Sequence, residues 1–205
     1  MNRVTVQCIV EGHGEVEAVP ALLHRLVPQF CPDCYLVTLR PIFRHRSSVV
    51  QSGELERLVE LAAGDVKLRG GILVLLDADD DLPCQQAPEL LDRARVVARG
   101  CPVSVVLANR EYEAWFIASA ASLAGSSGFP AAVPPIANCE HIRGAKEWLS
   151  RWKTGADTYS PTQHQADLTR LINIDLARQN SPSFDKLCRD VERLCHEVTT
   201  RFPDT

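Results

Sequence analysis

No apolar run in the sequence approaches the roughly 18 residues that a membrane span needs, so a membrane partner is not expected. Basic charge is not in excess either. Lys and Arg number 22 against 26 Asp and Glu, giving a formal charge of -4. Taken alone, that balance argues against a simple basic nucleic-acid binder. The opening run MNRVTVQCIVEGHGE holds no apolar signal-peptide core, which points to the cytoplasm. A second C-x-x-C is also missing. Eight cysteines include the C-P-D-C pair Cys31 and Cys34, with Cys188 and Cys195 much later, so no zinc is expected and buried free thiols are favoured. What remains is ordinary for a globular chain, with 45% hydrophobic and 23% charged residues in a length of 205. That composition excludes a disordered or collagen-like protein.

Hydrophobic patterning predicts alternating strands and helices. VTVQCIV at 4–10 reads as a buried strand, followed by EGHGE and a helix over 16–27. A second strand is expected at 35–42, with Pro41 near its end, then a basic loop at 43–52. Leu55, Leu58, Val59 and Ala62 share a helical face. ILVLL at 72–76 lies between Gly-Gly and Asp and reads as a central strand covered on both faces. A helix at 88–98, a strand at 103–107 and a helix from Arg110 to Leu123 complete a core over 1–123. The Gly/Pro-rich stretch 124–139 reads as a loop or linker. Helical patterns at 144–152, 163–178 and 183–200 make 140–205 a helical C-terminal extension packed on the core. The expected architecture is a Rossmann-like α/β three-layer sandwich with a mostly parallel sheet.

Ligands of open parallel sheets bind at the carboxyl ends of the strands. Here those ends collect acids. Glu11 and Glu15 follow the first strand, with Glu17 just beyond. Asp77, Asp79, Asp80 and Asp81 follow the central strand, and Glu111 and Glu113 follow the next. Crowded carboxylates repel unless something cationic neutralises them. Hard Mg²⁺ or Mn²⁺ takes oxygen ligands of this kind. The candidate metal ligands are therefore Glu11, Glu15, Asp77, Asp79, Asp81, Glu111 and Glu113. Period-two alternation would put Asp77 and Asp79 on one side of an extended end. Removing these seven together with Glu17 and Asp80, nine of the 26 acids, leaves 17 against 22 bases, so the net acidity belongs to one sheet edge. A phosphate partner is compatible with such an edge once a metal neutralises it.

Arg44, His45 and Arg46 form the densest basic loop and could contact phosphates, and Lys146 could stabilise a transition state. Tyr112, Trp115, Trp148 and Trp152 could contact ligand or bases, but packing is the simpler role for each, and a lone exposed His such as His13 more often touches neither metal nor phosphate. The sequence contains neither G-K-[ST] of a Walker A loop nor G-x-G-x-x-G.

V-E-G-H-G-E after the first strand and L-L-D-A-D-D-D after the central one resemble the TOPRIM domain of topoisomerases, primases and OLD-type nucleases. The whole chain resembles a bacterial TOPRIM-fold family, domain-of-unknown-function family 4276. That likeness extends through N-R-E-Y-E-A-W-F-I-A at 109–118, A-K-E-W-L at 145–149 and S-P-S-F-D-K-L at 181–187. The resemblance implies Mg²⁺- or Mn²⁺-dependent phosphodiester hydrolysis in nucleic acid, with Glu11, Asp77 and Asp79 catalytic and Glu15 matching a second glutamate of the nuclease branch. It also admits the nuclease half of an ATPase–nuclease defence pair, with an ATPase protein as partner, and a homodimer. Two other readings stay open. One is a non-catalytic subunit binding metal, nucleic acid or an ATPase. The other is a small-molecule Mg²⁺ phosphohydrolase, which Asn109-Arg110 disfavours because that chemistry needs a Ser/Thr or Lys there.

Overall fold

The computed structural model describes residues 2–67, 69–134, 136, 138–154 and 158–203. These residues form a three-layer α/β sandwich around a parallel sheet. Strands β1 (Asn2–Val10), β2 (Cys34–Thr38), β4 (Gly71–Asp77) and β5 (Val103–Ala108) lie in the order β2-β1-β4-β5. A short strand, β3 (Ile42–Phe43), pairs with the far end of β1.

The single strand expected at 35–42 is interrupted. Arg40 and Pro41 leave the ladder, because proline has no N–H to donate to it. The side chain of Gln7 repairs the gap, donating from Nε2 to the Arg40 carbonyl at 2.8 Å.

Alternation along each strand divides the core in two. Val4, Val6, Cys8 and Val10 cluster with Leu73, Leu75, Val106 and Ala108 beneath α1 (Glu15–Phe30) and α9 (Pro182–Arg201). Ile9, Ile72, Val74, Leu76, Val105 and Leu107 pack against α3 (Glu54–Asp65) and α4 (Pro83–Val97). Every residue of β4 is buried, as its unbroken apolar run requires.

The helix expected from Arg110 to Leu123 is much shorter. It comprises α5 (Ala114–Ala118) and a 3-10 turn at Ala120–Leu123. Residues 109–113 are instead spent on a turn, with Arg110 at φ 61° and the Tyr112 N–H donated to Asp77 Oδ1 at 2.7 Å. The basic loop carries a short helix, α2 (Arg46–Val49). The pattern at 163–178 is two helices, α7 (Pro161–Leu171) and α8 (Ile174–Asn180), because the Asn173 side chain accepts from Leu176 N–H and caps a new start.

Within 124–139, Phe129, Val133 and Cys139 are buried in the α1/α9 core, while Pro135 and Ala137 lie outside the described residues. Close behind this stretch, Glu140 ties three segments together. Its Oε1 accepts from the Ser183 N–H and hydroxyl at 2.8 and 2.7 Å and from the Ser181 hydroxyl, while Oε2 accepts from Asn109 Nδ2 at 2.9 Å. Ser183 Oγ in turn accepts from Trp115 Nε1 at 2.9 Å. The runs at 109–118 and 181–187 therefore meet at one buried carboxylate at the N-terminus of α9, where an acid is also favoured by the helix dipole.

Space constrains several glycines, Gly14 and Gly71 among them. A Cβ on Gly14, which precedes α1, would meet the Pro161 carbonyl oxygen at 2.6 Å, and one on Gly71 would meet Leu194 of α9 at 2.8 Å. Gly14→Ala is expected to cost about 1–3 kcal/mol, because the obstructing atom is backbone of α7. A fall in the urea midpoint without a change in slope would show it. Glu140→Ala is expected to cost about 2–3 kcal/mol by stranding its buried donors, whereas Glu140→Gln recovers part of the loss in the same titration.

Candidate functional site at the carboxyl ends of β1 and β4

Strands β1 and β4 are neighbours, but the helices that follow them leave on opposite faces. Helix α1 belongs to one buried cluster and α4 to the other. The crevice between the ends of β1 and β4 is therefore the switch point of this sheet, the usual ligand position in such folds. Glu11 and Asp77 sit there, and Glu11 Oε2 accepts from the Asp77 N–H at 3.1 Å.

Backbone donors hold the neighbouring acids as well. Glu15, at the first turn of α1, folds back so that Oε2 accepts from the N–H groups of Glu11 at 3.1 Å and Gly12 at 3.4 Å. Asp77 is fixed by Tyr112 N–H, as described above. Glu113 accepts at Oε1 from the Tyr159 hydroxyl at 2.9 Å, and its Oε2 lies 3.3 Å from Lys146 Nζ. Lys146, on α6 (Ala145–Trp152), also donates to Glu111 Oε2 at 3.0 Å. Glu15, Asp77 and Glu113 are all buried, and Glu11 is partly so.

Burial, and after it mutual repulsion, raises the pKa of these acids. Burial pushes Glu11 up from 4.5 to about 7, against the Asp77 N–H, which favours its charged form. Burial and the neighbouring charge of Glu11 push Glu15 up from 4.5 to about 8. Asp77 is raised well above the usual aspartate value by burial, then by Glu15, Glu11 and Glu113. Burial raises Glu113 too, with Lys146 opposing. Burial works against the Lys146 ammonium, but Glu113, Asp77 and Glu111 outweigh it and hold the amine above its ordinary value.

The other expected ligands stand apart from this group. Asp79 is not extended: at φ 52° its backbone turns left-handed, so the alternation expected from Asp77 fails. Its N–H donates to the Arg110 carbonyl at 3.0 Å, so two left-handed residues face each other across the β4 and β5 ends. Such backbone strain concentrates at functional sites. Asp79 and Asp81 are exposed and pair with Arg46, though the Asp79 charge still acts on Glu11. Arg46 is largely engaged by the loop that follows β4. It also donates to the Asp77 carbonyl at 2.7 Å and to Gln86 at 2.7 Å. Arg44 pairs with Glu54 at 3.0 Å. Of the three cations expected near phosphate, Lys146 ion-pairs with the buried Glu113, whereas Arg46 meets Asp77 at its carbonyl and acts on Glu11 through its charge.

The His13 ring stacks on Phe43 at 4.0 Å, and Phe43 meets His45 edge-on. Tyr112 and Trp115 are fully buried, and the Tyr112 hydroxyl lies 3.0 Å from Thr169 Oγ1. Trp148 and Trp152 contact each other against the core. All eight cysteines are unpaired. Cys31, Cys34 and Cys195 line a hollow of about 540 Å³ by Asn2, at the opposite end of β1 from the acids.

Tyr159, Thr169 and Gln165 had no spacing signal in the sequence, since α7 and the segment before it arrive from far along the chain. Gln165 is buried against Gly14, and its Oε1 has no hydrogen-bond partner among the described residues.

Among the described residues no three His, Cys, Asp or Glu side chains converge as a ready-made metal cage. The donor chemistry still fits a hard divalent cation. It is oxygen-only, buried, rigidly held and short of positive charge, with one lysine among five acids.

Folding binds protons at Glu11 and Glu15 between their ordinary 4.5 and about 7 and 8. The metal-free protein is therefore expected to be most stable at the acid end of this window and to lose stability as pH rises through it. Melting temperatures in EDTA from pH 5 to 8 read this directly, and Glu15→Gln should flatten the decline. A melting temperature that climbs over that range contradicts the assignment.

Matches to known proteins end at the family. No curated protein and no solved structure matches the chain. The model of a domain of unknown function, DUF4276, matches residues 10–192, which takes in the strand-end acids, Lys146 and most of α9. The chain belongs to the DUF4276 family.

Proposed function

We propose that the protein is a divalent-metal-dependent nuclease that hydrolyses phosphodiester bonds. The observation that carries this reading is the set of buried acids at the β1/β4 switch point, with a lysine set among them. The TOPRIM-like pattern of Glu11 and Asp77-x-Asp79 points the same way.

Glu11 and Asp77 would hold Mg²⁺ or Mn²⁺, with Asp79 at the rim, and Glu15 and Glu113 would support a second ion. A bound ion would polarise the phosphate and lower the pKa of an attacking water. The backbone donors to Glu11, Glu15 and Asp77 fix these side chains before substrate arrives, which lowers the cost of organising the site. Lys146 lies where an ammonium can offset charge that develops on the phosphate. The raised carboxyl groups imply that metal binding displaces protons, so affinity should rise with pH across the neutral range.

The assay is purified protein with Mg²⁺ or Mn²⁺ on supercoiled, linear and single-stranded DNA, on RNA, and on a generic phosphate ester. Cleavage of nucleic acid by the wild type and none by Asp77→Ala/Asp79→Ala is the expected result. Lys146→Ala should lower kcat about a hundredfold with little change in KM. Cleavage that persists in the double variant overturns the metal assignment.

One observation favours a second reading, a non-catalytic subunit that binds metal, nucleic acid or an ATPase partner: the acids do not converge on one point, and Lys146 already neutralises part of their charge. Measured metal binding without cleavage of any substrate would support it.

A further inference from the structure

Beside the acid cluster lies a hollow of about 180 Å³, lined by Asp79, Asp80, Arg110, Glu111, Arg143 and Gly144. Two guanidinium groups meet in it on a single atom. Arg110 Nη1 and Arg143 Nη1 each lie 2.9 Å from Asp80 Oδ1. Asp80 is 75% exposed, and its carboxyl is held below the ordinary value by the Arg110 hydrogen bond and the Arg143 charge.

One carboxylate oxygen shared by two arginines leaves that trio with a net positive charge, and the other two carboxylates lining the hollow, Asp79 and Glu111, are paired with Arg46 and Lys146. The sharing also leaves most of the ten N–H donors of the two guanidinium groups without a carboxylate. Guanidinium forks match phosphate oxygens as well as carboxylate oxygens. The pairs with Asp80 are solvent-exposed, so each holds weakly and exchanges readily.

The position is also set by the site. Arg110 is the left-handed residue whose carbonyl accepts from Asp79 N–H. Arg143 and Lys146 come from one short segment, on either side of the left-handed Gly144 that starts α6. Glu111 borders the hollow and is the residue that Lys146 grips. A strand bound in the hollow would thus run toward the buried acids. Arg44 and Arg46, the cations expected from sequence to meet phosphate, are engaged with Glu54 and with the β4 loop.

We propose that Arg110 and Arg143 form a subsite for a backbone phosphate of a nucleic-acid strand, and that Asp80 occupies it as an internal stand-in which the phosphate displaces. The ligand class rests on the nuclease reading; the arginine pair and its carboxylate do not.

The test is fluorescence anisotropy of a labelled single-stranded DNA oligonucleotide with EDTA present, so that cleavage plays no part. Arg110→Gln/Arg143→Gln should weaken binding roughly tenfold and reduce the slope of log K against log salt by about one to two units. Asp80→Asn should tighten binding roughly two- to fivefold, the strength of exposed pairs. That gain should vanish when Asp80→Asn is placed in the arginine double variant, a non-additivity that general charge removal does not produce. Arg143→Gln alone, at a residue 72% exposed, gives the same test without risk to the fold.

A gain from Asp80→Asn that persists without the arginines overturns the proposal. So does an unchanged salt slope, or no binding by the wild type at low salt. Cleavage with Mn²⁺ is scored separately. Cleavage that depends on Asp77 together with a flat anisotropy cycle sinks the subsite and leaves the nuclease reading. A positive cycle with no cleavage does the reverse.

Discussion

Desolvated negative charge at the end of β4 is the constraint on which the rest of this structure depends. Asp77 is the last residue of a strand buried on both faces, so its carboxyl is largely withdrawn from bulk water. Glu11, Glu15 and Glu113 then add their charge to it. An arrangement of this kind survives folding only if the acids are neutral, hydrogen-bonded or matched by cations. The protein uses all three. Protons are retained on Glu11 and Glu15 to near-neutral pH, backbone N–H groups donate to three of the acids, and Lys146 bridges Glu111 and Glu113.

That constraint explains local choices that otherwise look unrelated. The chain after β5 turns instead of entering a helix because Asp77 needs the Tyr112 N–H. Gly14 is followed at once by α1, whose first residue returns its side chain to the loop it has just left. The same small glycine admits α7, which carries Thr169 to the Tyr112 hydroxyl. Around the rim the exposed acids are matched differently, Asp79 and Asp81 by the largely buried Arg46 and Asp80 by Arg110 and Arg143. The acidic edge is therefore graded, from neutralised carboxyl groups inside to loosely paired ones outside.

Much of this was legible in the sequence, and for identifiable reasons. β4 could be read because the five residues ILVLL at 72–76 leave an uninterrupted apolar signal. α9 could be read from Ser181-Pro182, and Ser181 does cap it by accepting from Phe184 N–H at 3.1 Å. Glu11, Glu15, Asp77 and Glu113 were legible as strand-end acids. Their separation from Asp79 and Asp81 was not, because it turns on one left-handed residue that a period-two pattern cannot anticipate. The engagement of Arg46 was equally hidden. A basic loop and a buried anchor look alike until the β4 loop is placed beside them.

The sequence by itself determined β1, β4, β5 and most of the helices, and hence which acids stand at strand ends, because periodicity and capping act within a few residues. Tertiary structure alone decided that β1 and β4 are neighbours with α1 and α4 on opposite faces, so that Glu11 and Asp77 share one crevice. It alone brought Lys146 and Tyr159 to Glu113, Glu140 to Ser183, and Arg110 together with Arg143 on Asp80. The physical reason is range. Strand order and the return of distant helices are set by packing two apolar faces against their layers, and that packing leaves no mark at any fixed spacing along the chain.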